Sequence, residues 1–187
     1  MQQDNIISAH NRKKNFIYVV DNFYDEDYFR KLKARVLEEQ YEARGLTNKG
    51  QNNKMYHQIT LDTEGEHCQI TYNLMKKHFN YQVGLDNEYI QSFFFLSFAH
   101  EKPKVHFDPC RFNCMIYITG EEVLENGTSF YERDGHDQFK LHSVLGFKEN
   151  RAVLFDGAIW HASSQYINGS TPRYIMTNFI WDKDEDK

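Results

Sequence analysis

The second half of the chain is divided into short β-rich runs, and this division constrains the fold more than any other feature. From about residue 88 onward, runs rich in aromatic and β-branched residues alternate with turn residues such as Gly120, Asn126-Gly127 and Asp156-Gly157. The runs are YIQSFFFLSF, KVHFDP, FNCMIYIT, TSFYER, FKLHSV, RAVLFDG, WHASSQY and PRYIMTNFIW. About eight short strands at this spacing predict a double-sheet jelly roll or a small barrel.

The first half of the chain has a different pattern. Residues 16–20 (FIYVV) predict a short strand, and a helix is expected over 26–40, with Asp25 as its N-cap. The apolar face of that helix is predicted to carry Leu32, Val36 and Leu37. Residues 43–60 are polar and aperiodic, which predicts a long loop, either a lid over a substrate or a plain mobile connection. A second helix is expected over 64–79.

These patterns together predict an α+β fold, with a jelly-roll core and N-terminal helices packed on one sheet. We expect one domain over 1–187, comprising an N-terminal strand, helices and loop (1–87), a jelly-roll core (88–182) and a frayed tail (183–187). The longest apolar run is about seven residues, too short to span a bilayer. The N-terminus lacks the apolar region of a signal peptide.

Charge and cysteine content exclude several classes of function. The net charge of −5, without a basic block, argues against a nucleic-acid partner bound through its phosphates. The three cysteines form no CxxC pair, which predicts reduced thiols and a cytoplasmic protein. Cys110 and Cys114 are expected to be buried thiols rather than zinc ligands, because four residues along a strand separate them too far to converge easily.

Three residues form a candidate metal site. His106 and Asp108 lie one residue apart in a run predicted to be a strand, and such residues point to the same face. Alone, the pair is equally consistent with a polar contact at a strand end. His161, in the later run WHASSQY, would complete a set of two histidines and one carboxylate, which suits non-haem Fe(II). Trp160, beside it, is predicted to face away from His161 into the core.

Arg173 begins the last strand and is predicted to point inward, on the same face as Thr177. A guanidinium buried in an aromatic interior is costly unless it meets a fixed anion. That anion is either a structural Asp or Glu, or the carboxylate of a bound small acid. Asn113 and Tyr117 share one strand face, so Asn113 is a further candidate for the lining of the cavity.

The segments HFD, FNCMIYIT, NGTSFYE, RAVLFDGAIWHAS and PRYIMTNFIWD resemble the iron(II)/2-oxoglutarate-dependent dioxygenases, particularly the prolyl-hydroxylase-like branch. The resemblance spans about 93–182, and FIYVVDNFYDEDYFRKL is similar to the opening of such domains. Two features depart from the family pattern. Asn126-Gly127 replaces a Gly-Gly pair, and Arg173 lies twelve residues after His161, at the long end of the usual spacing.

The resemblance implies a double-stranded β-helix in which His106, Asp108 and His161 bind iron. Arg173 would bind the distal carboxylate of 2-oxoglutarate, and the Tyr117 hydroxyl would share that carboxylate. Asn113 and, more weakly, Thr177 are further cofactor-pocket candidates. The implied reaction consumes O2 and 2-oxoglutarate, hydroxylates an unactivated C–H bond of a peptide side chain or small metabolite, and releases succinate and CO2.

Two other classes of protein remain compatible with these residues. One is a cupin-like metal-binding protein or metalloenzyme that does not use 2-oxoglutarate, which has no need for the pair formed by Arg173 and Tyr117. The other is a catalytically silent jelly-roll binding module. Asp108 favours hydroxylation over halogenation, because the resemblance implies a small residue at this position in the halogenating branch.

Overall fold

Secondary structure is assigned from a computed structural model of the chain. The structure describes residues 16–39, 42–44, 56–61, 65–85, 88–97, 104–135, 138–164 and 172–182. Within these ranges the chain forms two α-helices and ten β-strands. None of the described helices is both long enough and apolar enough to cross a membrane.

The two helices lie in the N-terminal half, as predicted, with different bounds. Helix α1 spans Glu26–Glu38, and the backbone N–H of Tyr28 donates to Asp25 Oδ1 at 2.9 Å, which confirms the predicted N-cap. Leu32 and Val36 are buried, but Leu37 is 53% exposed, so its predicted place on the apolar face is wrong. Helix α2 spans Glu66–Val83 and ends at Gly84, whose φ of 64° is left-handed.

The strands form two antiparallel sheets. Their bounds are β1 Ile17–Val20, β2 Glu42–Arg44, β3 Tyr56–Thr60, β4 Glu88–Ser97, β5 Phe112–Thr119, β6 Thr128–Asp134, β7 Gln138–Leu145, β8 Arg151–Asp156, β9 Trp160–Ser163 and β10 Arg173–Asp182. The large sheet has seven strands in the order β1-β8-β5-β10-β4-β3-β2, and the small sheet has three in the order β7-β6-β9. A single 3-10 turn, Leu124–Asn126, precedes β6.

Two predicted elements differ from the structure. The segment 43–60 is not one loop, because β2 pairs with β3 and β3 pairs with the apolar strand β4. Pairing with β4 thus makes residues 56–60 a strand despite their polar composition. The predicted lid or mobile connection would comprise residues 45–55, which lie outside the described residues. KVHFDP is not a strand either, since His106 forms only an isolated bridge with His161.

The large sheet separates two cores. Its first face packs against both helices, in a core that includes Val36, Met75, Phe79, Phe94, Cys114, Ile116, Ile118, Leu154, Met176 and Ile180. Its second face packs against the small sheet, in a core that includes Met115, Tyr117, Phe130, Val153, Phe155 and Ile159. The predicted α+β jelly roll with helices on one sheet is confirmed. The second face is the one that holds the candidate site.

Candidate metal centre and anion pocket

Backbone hydrogen bonds bring the predicted metal ligands together. The N–H of His106 donates to the carbonyl of His161 at 3.0 Å, and the N–H of His161 donates to the carbonyl of His106 at 2.7 Å. The N–H of Asp108 donates to the carbonyl of Gly157 at 2.9 Å. The segment 104–109 therefore adopts an extended course beside β9 without being a strand, and Phe107 points outward with 44% exposure.

The three side chains converge on one point. His106 Nε2 lies 3.8 Å from Asp108 Oδ1, and His161 Nε2 lies 3.3 Å from Asp108 Oδ2. One ligand atom from each residue lies within 4.8 Å of the other two. Nitrogen and oxygen ligands at about 2.1 Å from a metal ion lie about 3.0 Å apart when they are at right angles. The spacing of this trio thus fits a divalent ion after small side-chain movements.

The hydrogen bonds of the two imidazoles fix which nitrogen is available. His106 Nδ1 lies 2.8 Å from the carbonyl oxygen of Lys104, and His161 Nδ1 lies 2.9 Å from that of Ile159. A carbonyl only accepts, so Nδ1 carries the proton in both rings and the neutral ring has a lone pair on Nε2. Both lone pairs face the Asp108 carboxylate, which is also an acceptor. A cation between these atoms resolves the conflict.

Burial keeps this site in a form that suits metal binding. His161 is 4% exposed and Asp108 is 8% exposed, whereas the His106 side chain is open on one side. Burial lowers the pKa of His161, and the nearby Asp108 carboxylate opposes this effect only in part. Neutral imidazole is the form that ligates a metal ion.

Gly157 is a site residue that the sequence patterns did not single out beyond its turn. A Cβ there would lie 2.0 Å from the carbonyl oxygen of Cys110 and 3.0 Å from that of Asp108. Only glycine therefore lets the turn after β8 approach residues 108–110 closely enough for the hydrogen bond from the Asp108 N–H to the Gly157 carbonyl. The Asp156-Gly157 dipeptide was the available sequence signal for a tight turn. It did not indicate the close approach to residues 108–110, because these are distant in sequence.

Asn113 and Thr177 lie on the second face of the large sheet, the one that packs against the small sheet. Asn113 is 2% exposed and its Nδ2 donates to Asp108 Oδ2 at 2.6 Å, while its Oδ1 is buried without a hydrogen-bond partner among the described residues. Thr177 is 4% exposed and pairs in register with Met115 on the same face. The structure thus brings Asn113 to a predicted metal ligand, whereas for Thr177 it shows burial on the same face of the sheet.

The predicted inward position of Arg173 is also found. Arg173 is 4% exposed, and its Nη1 donates to the carbonyl of Gly127 at 2.9 Å. Its Nη2 has a long contact of 3.5 Å with Thr128 Oγ1, and its Nε has no hydrogen-bond partner in the part of the chain that the structure describes. Among the described residues, no Asp or Glu forms an ion pair with this guanidinium. Burial lowers the pKa of Arg173, because desolvation penalises the charged form of the guanidinium.

Tyr117 lies against the same guanidinium. Its ring centroid is 5.5 Å from Cζ of Arg173, and its hydroxyl donates to Thr128 Oγ1 at 2.8 Å. Burial raises the pKa of Tyr117, so the hydroxyl stays protonated. Thr128, which the sequence patterns missed, thereby joins Tyr117 and Arg173 into one polar group. A hydroxyl within a β run gives no signal of such a partner.

Two further predictions concern neighbours of the ligands. Trp160 faces away from His161, but it lies on the outer surface of the small sheet rather than in the core. Its ring contacts Phe107 and Phe139, with centroids 4.9 and 4.8 Å away, and the Arg133 guanidinium lies 5.5 Å from its centroid. Cys110 and Cys114 are buried free thiols, as expected, and burial raises the pKa of both.

Comparisons with known proteins give matches among solved structures alone. No protein-family model matches the sequence, and no curated protein matches it at a significant level. A prolyl-4-hydroxylase from Pseudomonas putida is 16% identical, with a TM-score of 0.65, over 95% of this chain and 98% of that chain. A Trichoplax adhaerens prolyl hydroxylase, in complex with a hypoxia inducible factor peptide, is 12% identical, with a TM-score of 0.66, over 98% and 93%.

A third similar structure has a different named activity. The alpha-ketoglutarate-dependent carbocyclase SnoK, from nogalamycin biosynthesis, is 12% identical, with a TM-score of 0.70, over 98% of this chain and 85% of that chain. The likeness to all three extends over nearly the whole length. The resemblance suggested by the HFD and WHAS segments is confirmed at the level of the fold: this chain has the prolyl-hydroxylase-like fold of the 2-oxoglutarate-dependent oxygenases.

Proposed function

We propose that this protein is an Fe(II)- and 2-oxoglutarate-dependent dioxygenase that hydroxylates an unactivated C–H bond of a peptide side chain or small metabolite. Succinate and CO2 are the co-products. The observation that carries the proposal is the convergence of His106, Asp108 and His161, with ligand atoms within 4.8 Å of one another, on the cavity face that also holds the buried Arg173.

The metal-binding role falls to the three converging side chains. His106 and His161 offer Nε2 lone pairs, because their Nδ1–H groups are engaged by backbone carbonyls. Asp108 supplies the negative charge that, together with two neutral imidazoles, suits a divalent ion with open positions. When bound, Fe(II) with 2-oxoglutarate supplies the oxygen-dependent decarboxylation that drives C–H oxidation.

Binding of the co-substrate falls to Arg173, Tyr117 and Thr128. Because Nη1 of Arg173 is held by the Gly127 carbonyl, the edge formed by Nε and Nη2 is open to a planar carboxylate. The distal carboxylate of 2-oxoglutarate fits this edge, and the hydroxyl groups of Tyr117 and Thr128 stand beside it. The carboxylate of such a ligand would stabilise the buried Arg173 cation, which has no carboxylate partner among the described residues.

Aromatic side chains surround the buried part of the site. Phe155 lies edge-on to the His161 ring, with centroids 4.8 Å apart, and the Phe147 ring stacks on Tyr117 at 4.8 Å. Such a lining lowers the local dielectric and strengthens the charge interactions on which both halves of the site depend. It also favours a substrate that presents an aliphatic C–H group.

Solved structures with the same fold support the choice of cofactors. HygX from Streptomyces hygroscopicus is described with nickel and 2-oxoglutarate, and the epimerase SnoN with Fe3+ and alpha ketoglutarate. One prolyl hydroxylase is described with a peptide fragment, while SnoK and SnoN belong to nogalamycin biosynthesis. Peptide and small-molecule substrates are therefore both proposed for this chain.

Anaerobic addition of Fe(II) and 2-oxoglutarate to the purified protein tests the proposal. We expect a weak visible absorption band from the chelate, followed by slow succinate formation when O2 is admitted. His161→Ala should abolish both signals, whereas His142→Ala, at an exposed histidine of β7, should leave them unchanged. A folded protein that binds neither component at millimolar concentration would refute the proposed function.

A further inference from the structure

Asn113 has a hydrogen-bonding arrangement that does not suit a ligand of 2-oxoglutarate. Its side chain lies 2.6 Å from Asp108 Oδ2, and a carboxylate oxygen accepts hydrogen bonds, so the NH2 group of the amide must face Asp108. The amide oxygen then faces away from Asp108 and is buried without a hydrogen-bond partner among the residues described. The carboxylate and keto oxygens of 2-oxoglutarate are themselves acceptors, so this amide oxygen would repel them.

The chain around Asp108 explains why its carboxylate requires a fixed partner. Asp108 lies in an irregular segment, and its neighbour Phe107 is exposed. Asn113 instead lies on β5, in the interior of the large sheet, with Phe155 and Phe179 as its paired neighbours on the flanking strands. The hydrogen bond between the two side chains thus connects a candidate ligand on an irregular segment to a strand that is paired on both sides.

The two oxygens of Asp108 are used differently. Oδ2 accepts from Asn113 and lies 3.3 Å from His161 Nε2, while Oδ1 lies 3.8 Å from His106 Nε2. A donor fixed on Oδ2 sets the rotation of the carboxylate plane about the Cβ–Cγ bond. It thereby sets the direction in which the carboxylate oxygens face the two imidazoles.

We propose that Asn113 is a positioning residue that orients the Asp108 carboxylate for metal binding, rather than a residue that binds 2-oxoglutarate. The inference rests on the proposed function, since it assigns a role within the same metal centre. Hydrogen-bond partners of metal ligands typically change metal affinity by about 10- to 100-fold when they are removed. A residue that contacts the co-substrate would change the affinity for 2-oxoglutarate instead.

Calorimetric titration of the metal-free protein with Co(II), in the absence of 2-oxoglutarate, tests this role. Asn113→Leu keeps a side chain branched at Cγ, although a larger one, and removes the donor, and we expect its Co(II) affinity to fall by about 10- to 100-fold. The visible spectrum of bound Co(II) should also change, because the carboxylate is no longer held in one orientation. The affinity of the Co(II)-saturated variant for 2-oxoglutarate should stay within about threefold of the wild type.

Asn178→Leu is the matched control. Asn178 is a buried asparagine of the large sheet that faces the helices, where it accepts from Ser92 and donates to the Cys114 carbonyl. This variant should lose stability while its Co(II) affinity and Co(II) spectrum remain those of the wild type. If Asn113→Leu does not fold, Asn113→Ala is titrated under the same criteria.

The possible outcomes separate the two proposals. A wild-type protein that does not bind Co(II) refutes the metal centre itself, and with it the proposed function. Wild-type binding with an unchanged Co(II) affinity in the folded Asn113 variant overturns the positioning role alone. An unchanged Co(II) affinity together with weakened 2-oxoglutarate binding would assign Asn113 to the co-substrate and also overturn the inference.

Discussion

The two faces of the large sheet are built from the same strands but carry different chemistry. On β5, Cys114 and Ile116 point to the helices, while Asn113 and Tyr117 point to the small sheet. On β10, Met176 packs towards the helices, on the opposite face from Arg173. Because residues alternate between faces along a strand, one short sequence builds a hydrophobic core on one face and places the polar site residues on the other.

The two faces differ in whether their buried polar groups are hydrogen-bonded. On the helix side, the amide of Asn178 is hydrogen-bonded through both its oxygen and its nitrogen. On the cavity side, Asn113 Oδ1 and Arg173 Nε are buried without partners among the described residues. An unsatisfied buried polar group costs about 1–3 kcal/mol. The helix side therefore supplies stability, and the cavity side gives up some stability for a site that a ligand can complete.

The largest expected effect comes from truncation on the helix side. Ile116 is fully buried there, so Ile116→Ala should lower the free energy of unfolding by about 2–5 kcal/mol, through lost burial and a residual cavity. Chemical denaturation measures this loss, and Ile116→Val serves as a smaller step of about 0.5–1.5 kcal/mol. The Co(II) affinity should stay at its wild-type value. A large loss of metal binding would mean that the two faces are not separable.

Arg173→Met, on the opposite face, is expected to weaken co-substrate binding with little change in stability. Removal of a buried cation without a carboxylate partner should change the free energy of unfolding by no more than about 1 kcal/mol. The affinity for 2-oxoglutarate should fall by about 10- to 100-fold, the equivalent of one charge-assisted hydrogen bond or a little more. Denaturation and 2-oxoglutarate titration measure the two quantities. Unchanged 2-oxoglutarate affinity would contradict the role of Arg173.

Acid should act on the helix side through His67. This ring contacts Tyr28 and lies 3.1 Å from Met176 Sδ, and burial lowers its pKa from 6.5 to about 4. Between these values the unfolded chain binds a proton that the folded protein does not. Stability that is present above pH 6.5 should therefore decline by roughly 1–3 kcal/mol as the pH falls towards 4.

The His67→Leu variant isolates that contribution. Its free energy of unfolding, measured by urea denaturation at several pH values without metal, should fall less steeply between pH 6.5 and 4 than that of the wild type. Equal slopes for the two proteins would show that His67 titrates normally and is not sealed by the helices.

The smallest expected effect lies outside both faces, on the outer surface of the small sheet. Phe107 packs edge-on against Trp160, and these residues directly neighbour the candidate metal ligands His106, Asp108 and His161. Phe107→Ala should lower the free energy of unfolding by about 0.5–1.5 kcal/mol, the value of one aromatic pair. Co(II) titration should show a change of less than about threefold. A larger change would place part of the metal-site rigidity on this outer contact.

Much of the site followed from local sequence. The identities of His106, Asp108, His161 and Arg173 came from residue type, spacing and order among β runs, and the structure gathers the first three around one point. Their roles in metal and co-substrate binding stay predictions until they are measured. The cap at Asp25 was equally local, because it depends on a hydrogen bond three residues away.

Predictions failed where a distant partner decided the outcome. KVHFDP reads as a strand, but the structure gives it one bridge, to His161. Residues 56–60 read as a loop, yet β4 makes them a strand. The exposure of the apolar residues Leu37 and Trp160 depends on which elements pack over them. Leu37 is exposed to solvent, and Trp160 lies on the outer surface of the small sheet. A hydrophobic pattern does not show which distant element packs over a residue.

The amino-acid order by itself determined which side chains alternate to each face of a strand and which chemical groups are available for a site. Tertiary structure alone decided that His161 meets His106 and Asp108, that Arg173 stands without a carboxylate beside it in the described chain, and that the donor for Asp108 is Asn113. The reason is that sheet closure places residues far apart in sequence within hydrogen-bonding distance, and the hydrogen bonds that result determine the chemistry of each group.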